Sequence, residues 1–189
     1  MACVVRACAF LAVLAAHAPA ADPLAVSVRV KFDLIENGRV PRGSDVVLTP
    51  AEMNAWTREN MKRWIPQGLR NPSLQFGDGT LTASALVDFL KMRQAVGQET
   101  GWAISKLIQG ERPLKIFARL ESGGGRCTVY LTRVELSGVA ATGSVLDFLI
   151  RNFFRPQFPD AKINEPFDLA YDMERIEVRA SGARVRIKK

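Results

Sequence analysis

The chain has 189 residues, 26 Lys and Arg against 19 Asp and Glu, and a net charge of +7. It holds one histidine and three cysteines. The histidine, His17, lies close to the N-terminus, so everything after it must work without Ser-His-Asp or Cys-His nucleophiles, a histidine general base or nearly any zinc site.

The first twenty residues predict export. Arg6 is followed by an uncharged run from Ala7 to Ala16, and Ala18 and Ala20 supply small residues at the −3 and −1 positions of a cleavage site. The run is half of the roughly 20 residues a membrane-crossing helix requires. The expected products are a signal peptide, residues 1–20, cut after Ala20, and a secreted or periplasmic domain, residues 21–189. Cleavage removes His17, two cysteines and Arg6, leaving 169 residues with a net charge of +6 and a single thiol, Cys127. One cysteine cannot close an intramolecular disulfide, so packing alone must hold the domain together. A basic exported surface suits anionic lipid headgroups or envelope polymers, with a plain solvated surface as the competing reading, and nucleic acid is not expected as a partner in that compartment.

Residues 24–34 alternate, with Leu24, Val26, Val28, Val30, Phe32 and Leu34 on one side, which predicts a half-buried strand. Glu36-Asn37-Gly38-Arg39 turns the chain. Val46-Val47-Leu48 then leads to Thr49, an N-cap with Pro50 at N1 and Glu52 completing a capping box. That helix is predicted to run to about Trp64 and to stop before Pro66 and Gly68, with Met53, Trp56, Asn60 and Trp64 on one face. Leu74 and Phe76, the turn Gly77-Asp78-Gly79, and the alternation Leu81, Ala83, Ala85, Val87, Phe89 predict a hairpin. Near 98–108 a stretch with Trp102, Ile104, Leu107 and Ile108 reads as a short helix, packed on the sheet or touching lipid. Leu114 to Leu120 and Cys127 to Leu136 predict strands around Ser122-Gly123-Gly124-Gly125, with Cys127 as a buried, inert thiol. Residues 138–143 read as a small-residue linker. Ser144 is expected to cap a second helix, apolar over most of its circumference through Phe148, Phe153 and Phe154 and ended by Pro156. A short strand near 163–169 and a hairpin across Ser181-Gly182 complete one α+β domain, mostly antiparallel sheet with two main helices.

The order of these elements carries a resemblance. Leu48-Thr49-Pro50-Ala51-Glu52-Met53-Asn54 opens a helix, Phe76-Gly77-Asp78-Gly79 turns a hairpin, and Val134-Glu135-Leu136-Ser137-Gly138-Val139 ends a strand pair. The apolar Val145-Leu146-Asp147-Phe148-Leu149 then precedes a terminal hairpin. Over residues 24–187 this pattern resembles small bacterial envelope proteins of the LmeA and YpmS type, which look related to the tubular lipid-binding (TULIP) superfamily. The resemblance implies a long, curved antiparallel sheet wrapped around one or two helices, with an apolar groove for acyl chains.

The functional expectation is a non-catalytic, exported envelope protein that binds or carries a lipid or other amphiphile, with peripheral membrane contact. Neither cofactor, metal nor catalytic residue is assigned. Trp56, Trp64, Phe89, Trp102, Phe148 and Phe153 are the groove candidates, each with plain core packing as the competing role. The main rival is an envelope interaction or structural module holding a partner protein or anionic polymer. A carboxylate-based hydrolase is a third reading, and it requires two acidic residues facing each other in a cleft about 5–9 Å apart.

Overall fold

The computed structural model describes residues 22–65, 67–95, 110–156 and 162–189. The expected signal peptide, and the expected segment near 98–108 with Trp102, lie outside the described residues.

The first element corrects the sequence reading. Residues 24–34 are not a strand but most of a helix, α1 (Pro23–Glu36). Asp22 caps it by accepting from the Leu24 N–H at 3.0 Å, and Pro23 occupies the first turn. The even-numbered alternation is real, but a helical set coexists with it. Ala25, Val28 and Ile35 are buried, while Leu24, Val26 and Val30 face outward. Tertiary packing of the helical set overrides the strand-like pattern.

After α1 come β1 (Asp45–Leu48) and α2 (Pro50–Trp64). The capping box at Thr49 and Glu52 forms as expected: Thr49 N–H donates to Glu52 Oε2 at 2.9 Å and Glu52 N–H to Thr49 Oγ1 at 3.3 Å. β2 (Leu69–Gly77) and β3 (Thr80–Asp88) form the first hairpin. The alternation expected to reach Phe89 stops at Asp88, because Phe89 opens a short helix, α3 (Phe89–Ala95), whose Lys91 N–H is accepted by the Asp88 carboxylate. β4 (Glu111–Gly123) and β5 (Arg126–Leu136) form the second hairpin.

Two further corrections follow. The segment expected as a linker contains β6 (Val139–Ala140), folded back on the end of β5 across Ser137-Gly138. Both turn residues have positive φ, 53° and 81°, as a two-residue hairpin turn demands. The second helix, α4 (Gly143–Leu149), is preceded by an extended Thr142 rather than capped by Ser144. It then widens into a π-helical turn, Ile150–Phe154. The chain closes with β7 (Pro166–Asp168), β8 (Met173–Arg179) and β9 (Gly182–Ile187).

The architecture is α+β. A long antiparallel sheet has the order β2-β3-β4-β5-β6, and β7 pairs with the other end of β5. Its register places Leu74, Ala83, Ile116 and Val134 in one row across four strands, so one face of the sheet is apolar. A three-stranded sheet, β1-β9-β8, lies across the hairpin tips of the long sheet. Gly79 N–H donates to Val178 O at 2.9 Å and Gly125 N–H to Glu174 O at 2.8 Å, stitching β8 to both tips.

Two apolar clusters fill the domain. The first joins α1 to the small sheet through Val28, Ile35, Leu48, Val185 and Ile187. The second lies at the opposite end of the long sheet and gathers Ile65, Val87, Phe89, Met92 and Phe153. Among the described residues, no helix is long and apolar enough to cross a membrane.

Candidate apolar binding cavity

The second cluster does not close. Between the apolar face of the long sheet and the helices beside it lies a cavity of about 390 Å³. The sheet supplies its floor, with Ala83 and Ala85 of β3 flanked by Leu74, Leu114, Ile116 and Val134. The floor is hollow because β3 presents two alanines where its neighbours present leucine and isoleucine. Met61 at the end of α2 and the following Ile65 form one wall, and Phe89 and Met92 of α3 form another. Leu146, Leu149 and Ile150 come from α4 and the start of the π-helical turn. In that widened turn Phe153 and Phe154, adjacent in sequence, both line the cavity.

The walls are held by ring contacts. Phe89 and Phe153 meet edge to face with centroids 4.6 Å apart, and Phe148 meets Phe153 at 5.7 Å. Gly68 lets the start of β2 approach α3 closely. Its φ is +84°, and a Cβ there would lie 2.6 Å from Asp88 O and 2.7 Å from Met92 Cγ.

Chemically the cavity offers almost nothing but hydrocarbon. Among the described residues, Thr57, Ser73 and Ser84 are the lining residues with hydroxyls, and no carboxylate, amine or thiol lines it. Its size falls within the roughly 300–1,000 Å³ common for small-molecule sites.

The aromatic candidates divide. Phe89 and Phe153 are buried and line the cavity. Phe148 stands behind Phe153 and packs against the second cluster without being a lining residue. Trp56 belongs to the other end of the domain, where it meets Phe32 edge to face at 5.3 Å and packs against the first cluster. Trp64 is the last residue of α2, and Trp102 lies outside the described residues. Sequence reasoning did not single out Ala83 and Ala85. Their signal was a pair of small residues on one face of a strand otherwise matched by large ones.

Two hydrogen-bonded polar clusters lie at the opposite end. Glu52 is the hub where α1, β1 and α2 meet. Lys31 Nζ donates to Glu52 Oε1 at 2.6 Å and to Val47 O at 2.7 Å, and Ser27 Oγ donates to Glu52 Oε1 at 2.6 Å. Burial pushes the Glu52 carboxyl up, but the hydrogen bonds from Lys31, Ser27 and Thr49 outweigh it and hold the group down at about 2. On the outward face of the small sheet, Asp45 pairs with Arg184 and Arg186, and Glu177 with Arg175 and Arg179. The hydrogen bond from Arg186 keeps the Asp45 carboxyl below its ordinary value. Cys127 is buried in β5, and burial raises its thiol pKa. A thiol so placed is a poor nucleophile.

No family model matches the chain, and neither a curated protein nor a solved structure does.

Proposed function

We propose that this protein is exported to the cell envelope and there binds or carries a lipid or similar amphiphile, non-catalytically, with the acyl portion in the cavity between the long sheet and α2, α3 and α4. The observation that carries the reading is the cavity itself, about 390 Å³ of space bounded almost wholly by aliphatic and aromatic side chains. Each buried methylene contributes about 0.8 kcal/mol, so a dozen contribute roughly 10 kcal/mol before the costs of association. Those costs remove several kcal/mol and still leave useful affinity. Such binding requires no reactive group.

The test is native mass spectrometry of protein purified from a membrane-containing host, compared with the Ala83→Trp variant. The indole would fill the floor of the cavity from a position that is only half-buried. The expected result is an amphiphile mass adduct on the wild-type protein that is lost in a still-folded Ala83→Trp. An adduct that persists unchanged in the variant, or a wild-type protein that never carries one, would sink the reading.

One observation favours a second reading, in which the protein holds an anionic polymer or partner protein. The outward face of the small sheet carries Arg175, Arg179, Arg184 and Arg186. Asp45 and Glu177 pair with all four, which leaves the face weakly cationic. Salt-sensitive capture by an anionic polymer, abolished by Arg179→Glu with Arg184→Glu, would support this second role.

A further inference from the structure

We propose that the cavity-bearing end of the domain is a docking surface for an anionic lipid bilayer, through which the amphiphile enters. This rests on the reading of the cavity as an amphiphile site.

The segments that supply apolar side chains to the cavity also carry a concentration of basic residues. The last turn of α2 has Arg63, α3 has Lys91, and the π-helical turn and its C-cap have Arg151 and Arg155. Across residues 61–64, 89–95 and 143–155 the single acidic residue is Asp147. Arg63, Lys91, Arg151 and Arg155 are exposed, while Met61, Met92 and Phe153 beside them line the cavity. Asp88, immediately before α3, pairs with Lys91 at 3.4 Å and offsets one of these charges. Among the described residues this end thus carries four exposed cations, Arg63, Lys91, Arg151 and Arg155, against the carboxylates of Asp88 and Asp147.

Exposed aliphatic side chains accompany the charge. Val139 of β6 is 70% exposed and Val145 of α4 is 53% exposed. Val145 directly precedes Leu146, which lines the cavity. Cations around exposed aliphatic anchors are the composition of a surface that seats in the headgroup region of an anionic leaflet. An acidic protein partner would satisfy the charge but would not require an apolar cavity beside the cations. Docking by this end places the cavity next to the acyl chains, so a transferred chain spends the least distance in water.

The experiment is vesicle co-sedimentation with phosphatidylcholine alone and with added phosphatidylglycerol, at low and high salt. Two charge-reversal pairs with the same change in net charge are compared. Arg151→Glu with Arg155→Glu alters the cavity end, and Arg42→Glu with Arg179→Glu alters exposed positions near the small sheet. The expected result is salt-sensitive binding to phosphatidylglycerol vesicles, weakened about tenfold or more by the first pair and little by the second. Val139→Ser with Val145→Ser, at exposed positions that leave the core intact, is expected to weaken binding at high salt as well. Equal loss from both charge pairs, no loss from the first, or no wild-type preference for the anionic vesicles would overturn the proposal. Native mass spectrometry of detergent-loaded protein keeps the two ideas apart. Ala83→Trp is expected to lose the amphiphile and keep vesicle binding, and Arg151→Glu with Arg155→Glu the reverse.

Discussion

The side-chain amide of Asn54 pairs with both backbone polar groups of Leu74. Nδ2 donates to Leu74 O at 2.9 Å, and Oδ1 accepts from Leu74 N–H at 2.7 Å. β2 is the terminal strand of the long sheet, so these groups point away from β3. The amide of one helical residue thus stands in for a missing neighbouring strand and fixes α2 to the sheet edge. An unpaired edge is a template for association with another chain.

Replacing Asn54 with Ala should therefore do two things. Two part-buried backbone groups lose their partner, so stability should fall by about 1–3 kcal/mol in urea titration. The variant should also self-associate at concentrations where the wild-type protein sediments as a single species. Unchanged stability and unchanged sedimentation would mean that the edge is protected by something other than this amide.

Glu52 gives the fold a defined acid sensitivity. Its carboxyl stays ionised in the folded chain down to about 2, whereas an unfolded glutamate takes up its proton near ~4.3. Between these values the unfolded chain binds the proton first, so falling pH favours unfolding. The contribution is fully present above about pH 5 and is lost progressively toward about pH 2. Glu52→Gln should remove on the order of 2 kcal/mol at neutral pH and flatten the acid limb of the stability profile. Chemical denaturation across that range reads both effects, and a variant whose acid limb matches the wild type would show that Glu52 is not the group responsible.

Some of this was legible in the sequence and some was not, for physical reasons. The capping box at Thr49, the hairpins over 69–88 and 111–136, and the last hairpin were legible because local chemistry specifies them. The helix over 23–36 was not, since its apolar residues satisfy periods of 2 and 3.6 together. The deciding signal was Asp22-Pro23, the same cap-then-proline device as Thr49-Pro50. Phe89 and Phe153 were legible as large apolar residues, but cavity wall and closed core look alike in sequence. What separates them is Ala83 and Ala85, whose missing volume matters only once four strands are in register.

Gly182 and Gly138 should respond very differently to alanine. Gly182 begins β9 with φ +123°, and a Cβ there would lie 2.1 Å from Leu48 O. The clash is with backbone, so relief requires moving β1 off β9, where Leu48 pairs with Ala183. Gly138 has φ +81° and nothing within 4 Å of a Cβ. Gly138→Ala should cost only about 1–2 kcal/mol, the strain of a left-handed residue. Gly182→Ala should cost at least about 3 kcal/mol or prevent folding. Thermal melts of the two variants check this, and similar losses would contradict the close approach of the strands.

Ligand linkage offers a check on the cavity that does not depend on what the protein carries when purified. Anything that binds the folded chain and not the unfolded one raises stability by about 2.7 kcal/mol at a hundred times its Kd. A monomeric fatty acid or lysophospholipid should therefore raise the melting temperature of the wild-type protein, with the rise growing with ligand concentration. Ala83→Trp should melt close to the unliganded wild type and show no such rise, because the indole occupies the floor between Leu74 and Ile116. Trp56→Ala should behave in the opposite way. Trp56 packs with Phe32 in the closed cluster at the other end, so its loss should cost about 3–5 kcal/mol while leaving the ligand-induced rise intact. If Trp56→Ala abolished the rise and Ala83→Trp preserved it, the binding site would lie between α1 and the small sheet rather than beneath α4.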